Sequence, residues 1–160
     1  ELSSGQVMIR ENQTGISYES LFAPYLRGSS KIRLEDPYIR LPYQMKLLME
    51  FCSTLMNAKS DEEEIELHVV TYNDSEFTIQ ESNDNLEEIA ESVFDMGIKM
   101  TFEMQANLHD RFIQSDNGWK IILGRGLDIY QKAEGRFNIS DLRQDKRRCK
   151  ACEITYLKNS

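Results

Sequence analysis

The sequence lacks several features that would place it in a specialised class of protein. No run of apolar residues approaches the roughly 20 needed to span a membrane. The first five residues, 1–5, have neither the basic nor the apolar region of a secretory signal. Only three cysteines occur among 160 residues, an odd number that argues against a disulfide framework. We therefore expect a cytoplasmic protein with a single domain over residues 1–160, or a piece of a longer cytoplasmic protein.

Two of the three cysteines form one C-x-x-C pattern, Cys149 and Cys152. A structural zinc site needs four ligands, and the sequence nearby offers neither a second C-x-x-C nor a pair of histidines. The third cysteine, Cys52, falls on the apolar stripe of a predicted helix, where it would be an inert core residue. We expect no bound metal and no cofactor.

Lysine and arginine are absent from residues 60–98, which contain 13 of the 27 acidic residues. The rest of the chain therefore has 14 acidic residues against 19 basic ones, although the net charge of the whole chain is −8. Basic residues are densest in 143–150. This uneven distribution allows an anion-binding face on a protein that is acidic as a whole.

The first two thirds of the sequence alternate between helical and strand patterns. Apolar residues recur at helical spacing in 17–26, 45–56 and 86–94, the last preceded by cap residues at 82–85. They alternate, as in strands, in 31–35, 65–71 and 98–104. Strands that alternate with helices form parallel pairs with helices on the sheet. The pattern predicts an α/β fold with a mixed, mostly parallel sheet flanked by helices.

The pattern then changes to a β-hairpin near residues 109–123. Two strand-like segments, 109–115 and 119–123, flank Asp116-Asn117-Gly118, and Asn-Gly is the strongest short hairpin signal because both turn residues must accept positive φ. A last strand is predicted at 152–157. Pro24 interrupts the first helix, which must either kink there or start late.

The hairpin region contains one candidate catalytic motif. His109, Arg111 and Asp116 form the pattern H-x-R-x4-D. Phospholipase D-type enzymes use H-x-K-x4-D, in which the His attacks phosphorus, the Asp orients the imidazole and the cation neutralises developing charge. Arginine in place of lysine keeps phosphate binding and weakens the case for catalysis. Such enzymes also need two motifs, and this chain has one, so an active site would require a dimer.

Three blocks of the sequence, 11–22, 35–40 and 109–128, resemble the phospholipase D-like C-terminal domain of the MIT-domain-containing proteins of cytokinetic abscission. The blocks occur in the family's order, and residues 135–160 match loosely. The resemblance implies a phospholipase D-like fold and a homodimer without catalytic activity. It also implies peripheral membrane association through anionic lipids, phosphoinositides in particular, at the midbody. The sequence contains no MIT segment, so contact with ESCRT-III is expected only through that absent domain.

On this interpretation the basic residues of two segments would bind lipid phosphate, and nucleic acid is not expected as a partner. The predicted phosphate-binding residues are His109, Arg111, Lys120, Arg125, Lys146, Arg147, Arg148 and Lys150.

Two alternatives come from other functional classes. The first is a phosphodiesterase acting on lipid or nucleic acid, with His109, Arg111 and Asp116 as catalytic residues assembled across a dimer. The second is an adaptor whose acidic helix, with Glu87, Glu88 and Glu91, meets a basic partner. Nothing in the sequence names that partner.

Overall fold

The computed structural model describes residues 1–72 and 76–159, which form seven strands and three α-helices. The strands are β1 (Gly5–Ile9), β2 (Lys31–Glu35), β3 (Ile65–Thr71), β4 (Ile98–Met104), β5 (Phe112–Ser115), β6 (Trp119–Leu127) and β7 (Cys152–Lys158). The α-helices are α1 (Tyr18–Leu26), α2 (Pro42–Ala58) and α3 (Glu76–Phe94), and two short 3-10 helices span Ile139–Asp141 and Gln144–Lys146. The predicted α/β class is confirmed, and each predicted helix and strand segment overlaps an observed one.

The seven strands form one sheet in the order β1-β7-β6-β5-β2-β3-β4. Only β2–β3 and β3–β4 pair in parallel, and the other four described pairings are antiparallel. The expectation of a mostly parallel sheet is therefore wrong in this detail. The parallel pairs arise where a helix links successive strands. The second half of the chain has no α-helix between its strands, and the pairings that involve β1, β5, β6 and β7 are antiparallel. Among these pairs only β5 and β6 are joined by a short turn.

The three α-helices form one layer against one face of the sheet. Helix α1 packs on α2, α2 packs on α3 and β6, and α3 packs on β4. The alternation along β2 follows from this, since Ile32 and Leu34 are buried beneath the helices while Lys31 on the opposite face is exposed. Strands β2, β3 and β4 follow one another across the sheet in chain order. Because both crossovers are right-handed and move in the same direction across the sheet, α2 and α3 lie on the same face.

Two helices begin or run differently from the predicted pattern. Helix α1 continues through Pro24 rather than starting there. The ring of Pro24 removes the hydrogen bond to the carbonyl of Ser20, an exposed residue. Helix α3 begins at Glu76, so the predicted caps at 82–85 lie inside it. Ser82 is buried on the same stripe as Leu86, where a small polar residue fits against the sheet.

The β5–β6 hairpin is present at the predicted place, with its turn at Asp116-Asn117-Gly118. Only Gly118 has a positive φ, +98°, so the expectation that Asn117 also adopts positive φ is wrong. Strand β5 begins only at Phe112, so His109 and Arg111 lie in the segment before the strand and not on its polar face. Strand β6 continues to Leu127, four residues beyond the predicted end at 123.

Candidate functional site

The sheet topology brings two of the three family-like blocks, 35–40 and part of 109–128, together at one end of the sheet. Strand β2 ends at Glu35, which pairs with Phe112 at the start of β5. Phe112 in turn pairs with Ile122 of β6. Asp36, Arg111 and the end of β6 are therefore neighbours, although up to 91 residues separate them along the chain.

The buried carboxylate of Asp36 joins two of these blocks. Its Oδ1 accepts a hydrogen bond from the Tyr38 N–H at 3.0 Å, and its Oδ2 accepts one from the Leu127 N–H at 2.8 Å. Gly126, at φ +64°, lies so close that an added Cβ would be 2.4 Å from Asp36 Oδ2. The glycine is required because only a residue without a side chain fits between the carboxylate and the backbone.

Burial shifts the pKa of Asp36 upward, from 3.8 to about 6. Loss of hydration is the largest cause, and the hydrogen bonds from Leu127 and Tyr38 oppose it. The charge of Asp128 adds to the rise, and the charge of Arg111 reduces it. Asp36 thus changes charge near neutral pH while holding the two blocks together.

Beside Asp36 lies a cleft of about 270 Å³, which we call the arginine cleft. Its lining consists of Tyr38, Tyr43, Gln44, Arg111, Arg125 and Asp128. The Arg111 guanidinium lies 5.6 Å from the centre of the Tyr38 ring, and the Arg125 Nε donates to the Ala151 carbonyl at 3.0 Å. Neither Arg111 nor the two Nη atoms of Arg125 donate a hydrogen bond to any residue within the described ranges. Two guanidinium groups with available donors therefore share one cleft.

One carboxylate, that of Asp128, also lines the arginine cleft. Its Oδ2 accepts from the Tyr43 hydroxyl at 3.0 Å, and its Oδ1 accepts from the Lys150 Nζ at 3.0 Å. The Asp128 side chain is 15% exposed. Lys150, a predicted phosphate ligand, is thereby held at the cleft by an ion pair.

The structure does not assemble the H-x-R-x4-D residues into one site. His109 is exposed in the segment before β5, at the same end of the sheet as Arg111. Asp116 follows β5 at the other end, roughly 16 Å along an extended chain from Arg111. There its carboxylate accepts hydrogen bonds from Ser30 N at 3.0 Å and Ser30 Oγ at 2.7 Å. Asp116 cannot orient the His109 imidazole of its own chain.

The environment of Asp116 is that of a structural carboxylate. Partial burial alone would raise its pKa, but the hydrogen bonds from Ser30, together with backbone N–H groups, outweigh burial and hold the pKa below its usual value. Asp116 therefore stays ionised and fixes the hairpin turn to the start of β2.

The basic residues predicted to bind phosphate in the segment 146–150 differ in whether their side chains are available to a ligand. Arg147 pairs with Glu50 at 2.7 Å and donates to the carbonyls of Ser140 and Asp141 at 2.6 Å and 3.0 Å. With a side chain only 12% exposed, Arg147 is a structural residue and not an available phosphate ligand. Lys146 and Arg148 are exposed.

Lys120, another predicted ligand, lies on the face of the sheet opposite the helices. Its Nζ is 4.4 Å from the centre of the Phe112 ring. The same face has a shallow depression of about 550 Å³, lined by residues of both charges, including Lys31, Glu66 and Lys99. These three are direct cross-strand neighbours, so the single glutamate lies between the two lysines and offsets part of their charge.

Sequence reasoning missed Tyr43, Gln44 and Asp128 as parts of the site. Asp128 is the last residue of the third family-like block, so that block contained a signal for it. No pattern marked Tyr43 and Gln44, because they reach the cleft from the first turn of α2 after the chain has reversed at Asp36-Pro37.

Cys149 is buried and Cys152 is half-buried. Burial and the neighbouring Cys152 raise the pKa of the Cys149 thiol to about 11, so it stays protonated. Within residues 1–72 and 76–159, no group of three or more His, Cys, Asp or Glu side chains is arranged to hold a metal ion.

None of the helices in the described part of the chain is both long and apolar enough to cross a membrane.

Two comparisons with known proteins bear on the family of this chain. Residues 15–158 match the model of the phospholipase D-like domain at the C-terminus of MIT. The chain is also 37% identical over 155 residues to MIT domain-containing protein 1 of Mus musculus, covering 96% of this chain and 61% of that protein. This chain therefore belongs to the family of phospholipase D-like domains found at the C-terminus of MIT proteins.

Proposed function

We propose that this domain is a non-catalytic, dimeric module that binds the surface of membranes through anionic lipids, phosphoinositides in particular. The observation that carries the proposal is the pair Arg111 and Arg125, which line one cleft and have guanidinium N–H groups with no acceptor among the described residues. Arginine binds phosphate oxygens bidentately, and the Nη groups of this pair are available for that role.

Further basic residues would strengthen attachment to a membrane. Lys146 and Arg148 are exposed, and each basic residue near an anionic bilayer contributes about 1 kcal/mol. Three or four such residues give binding that is useful and weakens with salt, because the charges are screened over about 10 Å at 0.1 M ionic strength.

The placement of Asp116 supports the absence of catalysis. Nucleophilic attack by histidine requires a group that sets the imidazole tautomer, and the acid at the matching spacing is bonded to Ser30 at the far end of β5. A positively charged cleft without an oriented nucleophile is suited to binding phosphate but not to cleaving its ester.

We also propose that a second copy of the chain covers the face of the sheet opposite the helices. Met8, Ile122 and Leu157 are exposed there, at 65%, 39% and 41%. Lys120 and Glu153 lie on the same face and give it both charges, so two copies related by a two-fold axis can pair opposite charges around an apolar centre. Dimerisation would double the number of membrane contacts and raise avidity.

The cellular part of the proposal rests on the relative. MIT domain-containing protein 1 is longer than this chain, which spans 61% of its length. We propose that the domain acts in ESCRT-III-linked abscission at the midbody, with any contact to ESCRT-III made by an MIT domain and not by the residues described.

The test is co-sedimentation with vesicles at low and at physiological salt. The wild type should bind vesicles containing phosphoinositide and not neutral ones, and binding should weaken as salt rises. Arg111→Glu combined with Arg125→Glu should reduce binding at least tenfold. Arg27→Glu reverses the charge of one exposed arginine at the opposite end of the sheet, and it is the control for the effect of a single charge reversal outside the cleft. Undiminished binding by the double variant would overturn the assignment of the arginine cleft.

The dimer has a separate test. Sedimentation velocity of the wild type should show a species of twice the chain mass, and Leu157→Glu should convert it to monomer. A wild-type monomer at concentrations of tens of micromolar would contradict this part of the proposal alone.

A further inference from the structure

Three large apolar side chains protrude into water from the segment between β6 and β7. Phe137, Ile139 and Leu142 are 91%, 65% and 83% exposed. Ile139 and Leu142 are three residues apart on a 3-10 turn, in which side chains at this spacing lie one above the other. Such a concentration of exposed apolar surface is typical of a site that contacts a membrane or another molecule. We call these three residues the apolar turn.

The apolar turn is held in place by polar contacts on its inner side. The Arg147 guanidinium donates to the carbonyls of Ser140 and Asp141 at 2.6 Å and 3.0 Å, and it pairs with Glu50 of α2 at 2.7 Å. The Asn138 side chain accepts from the Ser140 N–H at 2.9 Å. Ser140 is buried, so the polar residue of the turn faces the protein and the apolar ones face water. The fold itself therefore directs the apolar side chains outward.

Exposed basic residues accompany the apolar turn. Residues 132–148 contain six basic and three acidic residues, although the whole chain has a net charge of −8. The Arg136 guanidinium lies 5.4 Å from the centre of the Phe137 ring. A long basic side chain can keep its charge among lipid headgroups while the apolar residue beside it goes deeper. The basic residues of the segment that are exposed are Lys132, Arg136, Arg143, Lys146 and Arg148.

The shape of the apolar turn favours a bilayer over a protein partner. A protein groove shields the residues that line it, whereas Phe137 and Leu142 are almost fully exposed and therefore protrude. Protruding side chains need a deep complementary cavity in a protein partner, but they enter a fluid bilayer without one. The excess of basic residues is complementary in charge to anionic lipids.

The apolar turn is also close to the arginine cleft. Lys150 directly follows the segment, and its ammonium pairs with Asp128, which lines the cleft. Glu50, the partner of Arg147, lies seven residues after the cleft residue Tyr43 on α2, or roughly 10 Å along the helix. One membrane surface can therefore contact the cleft and the turn together.

We propose that the apolar turn inserts into the boundary between headgroups and acyl chains of an anionic bilayer. Phe137 and Leu142 enter the apolar layer, and the exposed basic side chains of the segment stay at the level of the lipid phosphates. The inference rests on the membrane attachment of the proposed function, but it assigns a second site that does not depend on the arginine cleft. Because apolar burial is not screened by ions, this attachment persists at salt concentrations that weaken the cleft.

The first experiment places a fluorescent reporter at the turn. Phe137→Trp is mixed with phosphoinositide-containing vesicles whose acyl chains are brominated, because bromine quenches tryptophan only at short range. The native Trp119 is 4% exposed and gives the background, which the wild type measures. The added tryptophan should be quenched at least twofold. Phe94→Trp is the matched control, since Phe94 is also exposed, at 65%, but lies at the opposite end of the sheet, and its emission should not change.

The second experiment removes the apolar surface and varies the salt. Phe137→Ser combined with Leu142→Ser should weaken vesicle binding by about tenfold, and by the same factor at low and at physiological salt. The factor lost in Arg111→Glu with Arg125→Glu should instead shrink as salt rises. Phe94→Ser combined with Met96→Ser, which removes exposed apolar residues elsewhere, should leave binding unchanged.

The outcomes separate this inference from the proposed function. If vesicles bind the Phe137→Trp protein and its emission is not quenched, the inference is wrong and the membrane function stands. If quenching persists in a protein that also carries Arg111→Glu and Arg125→Glu, the inference stands and the assignment of the cleft fails. If the serine variant instead turns a dimer into a monomer in sedimentation velocity without vesicles, the turn is a contact between copies and the inference is overturned.

Discussion

The carboxylate of Asp36 and the backbone N–H of Leu127 form a hydrogen bond of 2.8 Å between segments 91 residues apart. Because Asp36 also accepts from Tyr38, its two oxygens fix the end of β2 to the end of β6. Arg111, which precedes β5, and Arg125 on β6 line the arginine cleft beside this connection.

Gly126→Ala should destabilise the fold by about 2–3 kcal/mol, as expected for a backbone clash at a special φ angle. The new Cβ would lie 2.4 Å from Asp36 Oδ2, and the φ angle of +64° is unfavourable for alanine. Gly135→Ala is the matched control, because Gly135 also has a positive φ, +79°, but no atom within 4 Å of the added Cβ. Urea unfolding measures both losses. A similar loss in the two variants would show that φ alone matters and that the contact with Asp36 does not.

The free energy of unfolding should depend on pH through Asp36. Its pKa is about 6 in the folded state and 3.8 in the unfolded reference, so the folded state binds more protons between these values. The contribution of Asp36 to stability is fully present below the lower pKa and is lost as pH rises through about 6. Relative to Asp36→Asn, the wild type should gain about 2–3 kcal/mol between pH 7 and pH 4.

Carbon NMR of the Asp36 carboxyl group gives the same answer directly and does not require the variant to fold. A titration midpoint near the ordinary aspartate value would contradict the burial of this group.

Arg147→Ala should destabilise the fold by about 2 kcal/mol, because it leaves the partly buried Glu50 carboxylate with only the neutral donor of Gln144 and removes donors from two carbonyls. Arg148→Ala, one residue further along and exposed, should change stability by less than about 0.5 kcal/mol. Thermal unfolding of the two variants distinguishes them. Equal stability would mean that the ion pair with Glu50 is absent in solution.

Asp116→Ala should lower stability by about 1 kcal/mol through loss of the hydrogen bonds from Ser30, and it should leave vesicle binding unchanged. In a separate hydrolysis assay, the wild type and His109→Ala should cleave a generic phosphodiester at the same background rate. Hydrolysis by the wild type that disappears in both His109→Ala and Asp116→Ala would instead support the phosphodiesterase alternative.

Much of the fold was predictable because its patterns are local. The segment 65–71 matches β3, and 98–104 matches β4, since alternation of apolar residues reflects burial of one face of a strand. The Asn-Gly turn was predictable for the same reason, because positive φ at Gly118 is a property of the turn itself. The family resemblance added the fold type, which the family comparison confirms.

The orientation of strands was less predictable. Parallel pairing of β2 with β3 follows from the intervening helix, but antiparallel pairing of β2 with β5 brings together segments about 80 residues apart in the chain. No local pattern determines such a pairing. The early start of α3 is a further example, because burial against the sheet favours helix at Ser82 over the capping role that this residue has in isolation.

The sequence by itself determined the elements, the uneven charge and the residue types needed to bind phosphate, since these depend on neighbours in the chain. Only the tertiary structure decided which of the basic residues are available. In the tertiary structure Arg111 and Arg125 line the same cleft, whereas Asp116 and His109 lie at opposite ends of β5. Arg147 forms an ion pair with Glu50, and Asp128 lines the cleft. The physical reason is that availability depends on which acceptors lie within hydrogen-bonding distance, and those acceptors come from strands and helices that are distant in sequence.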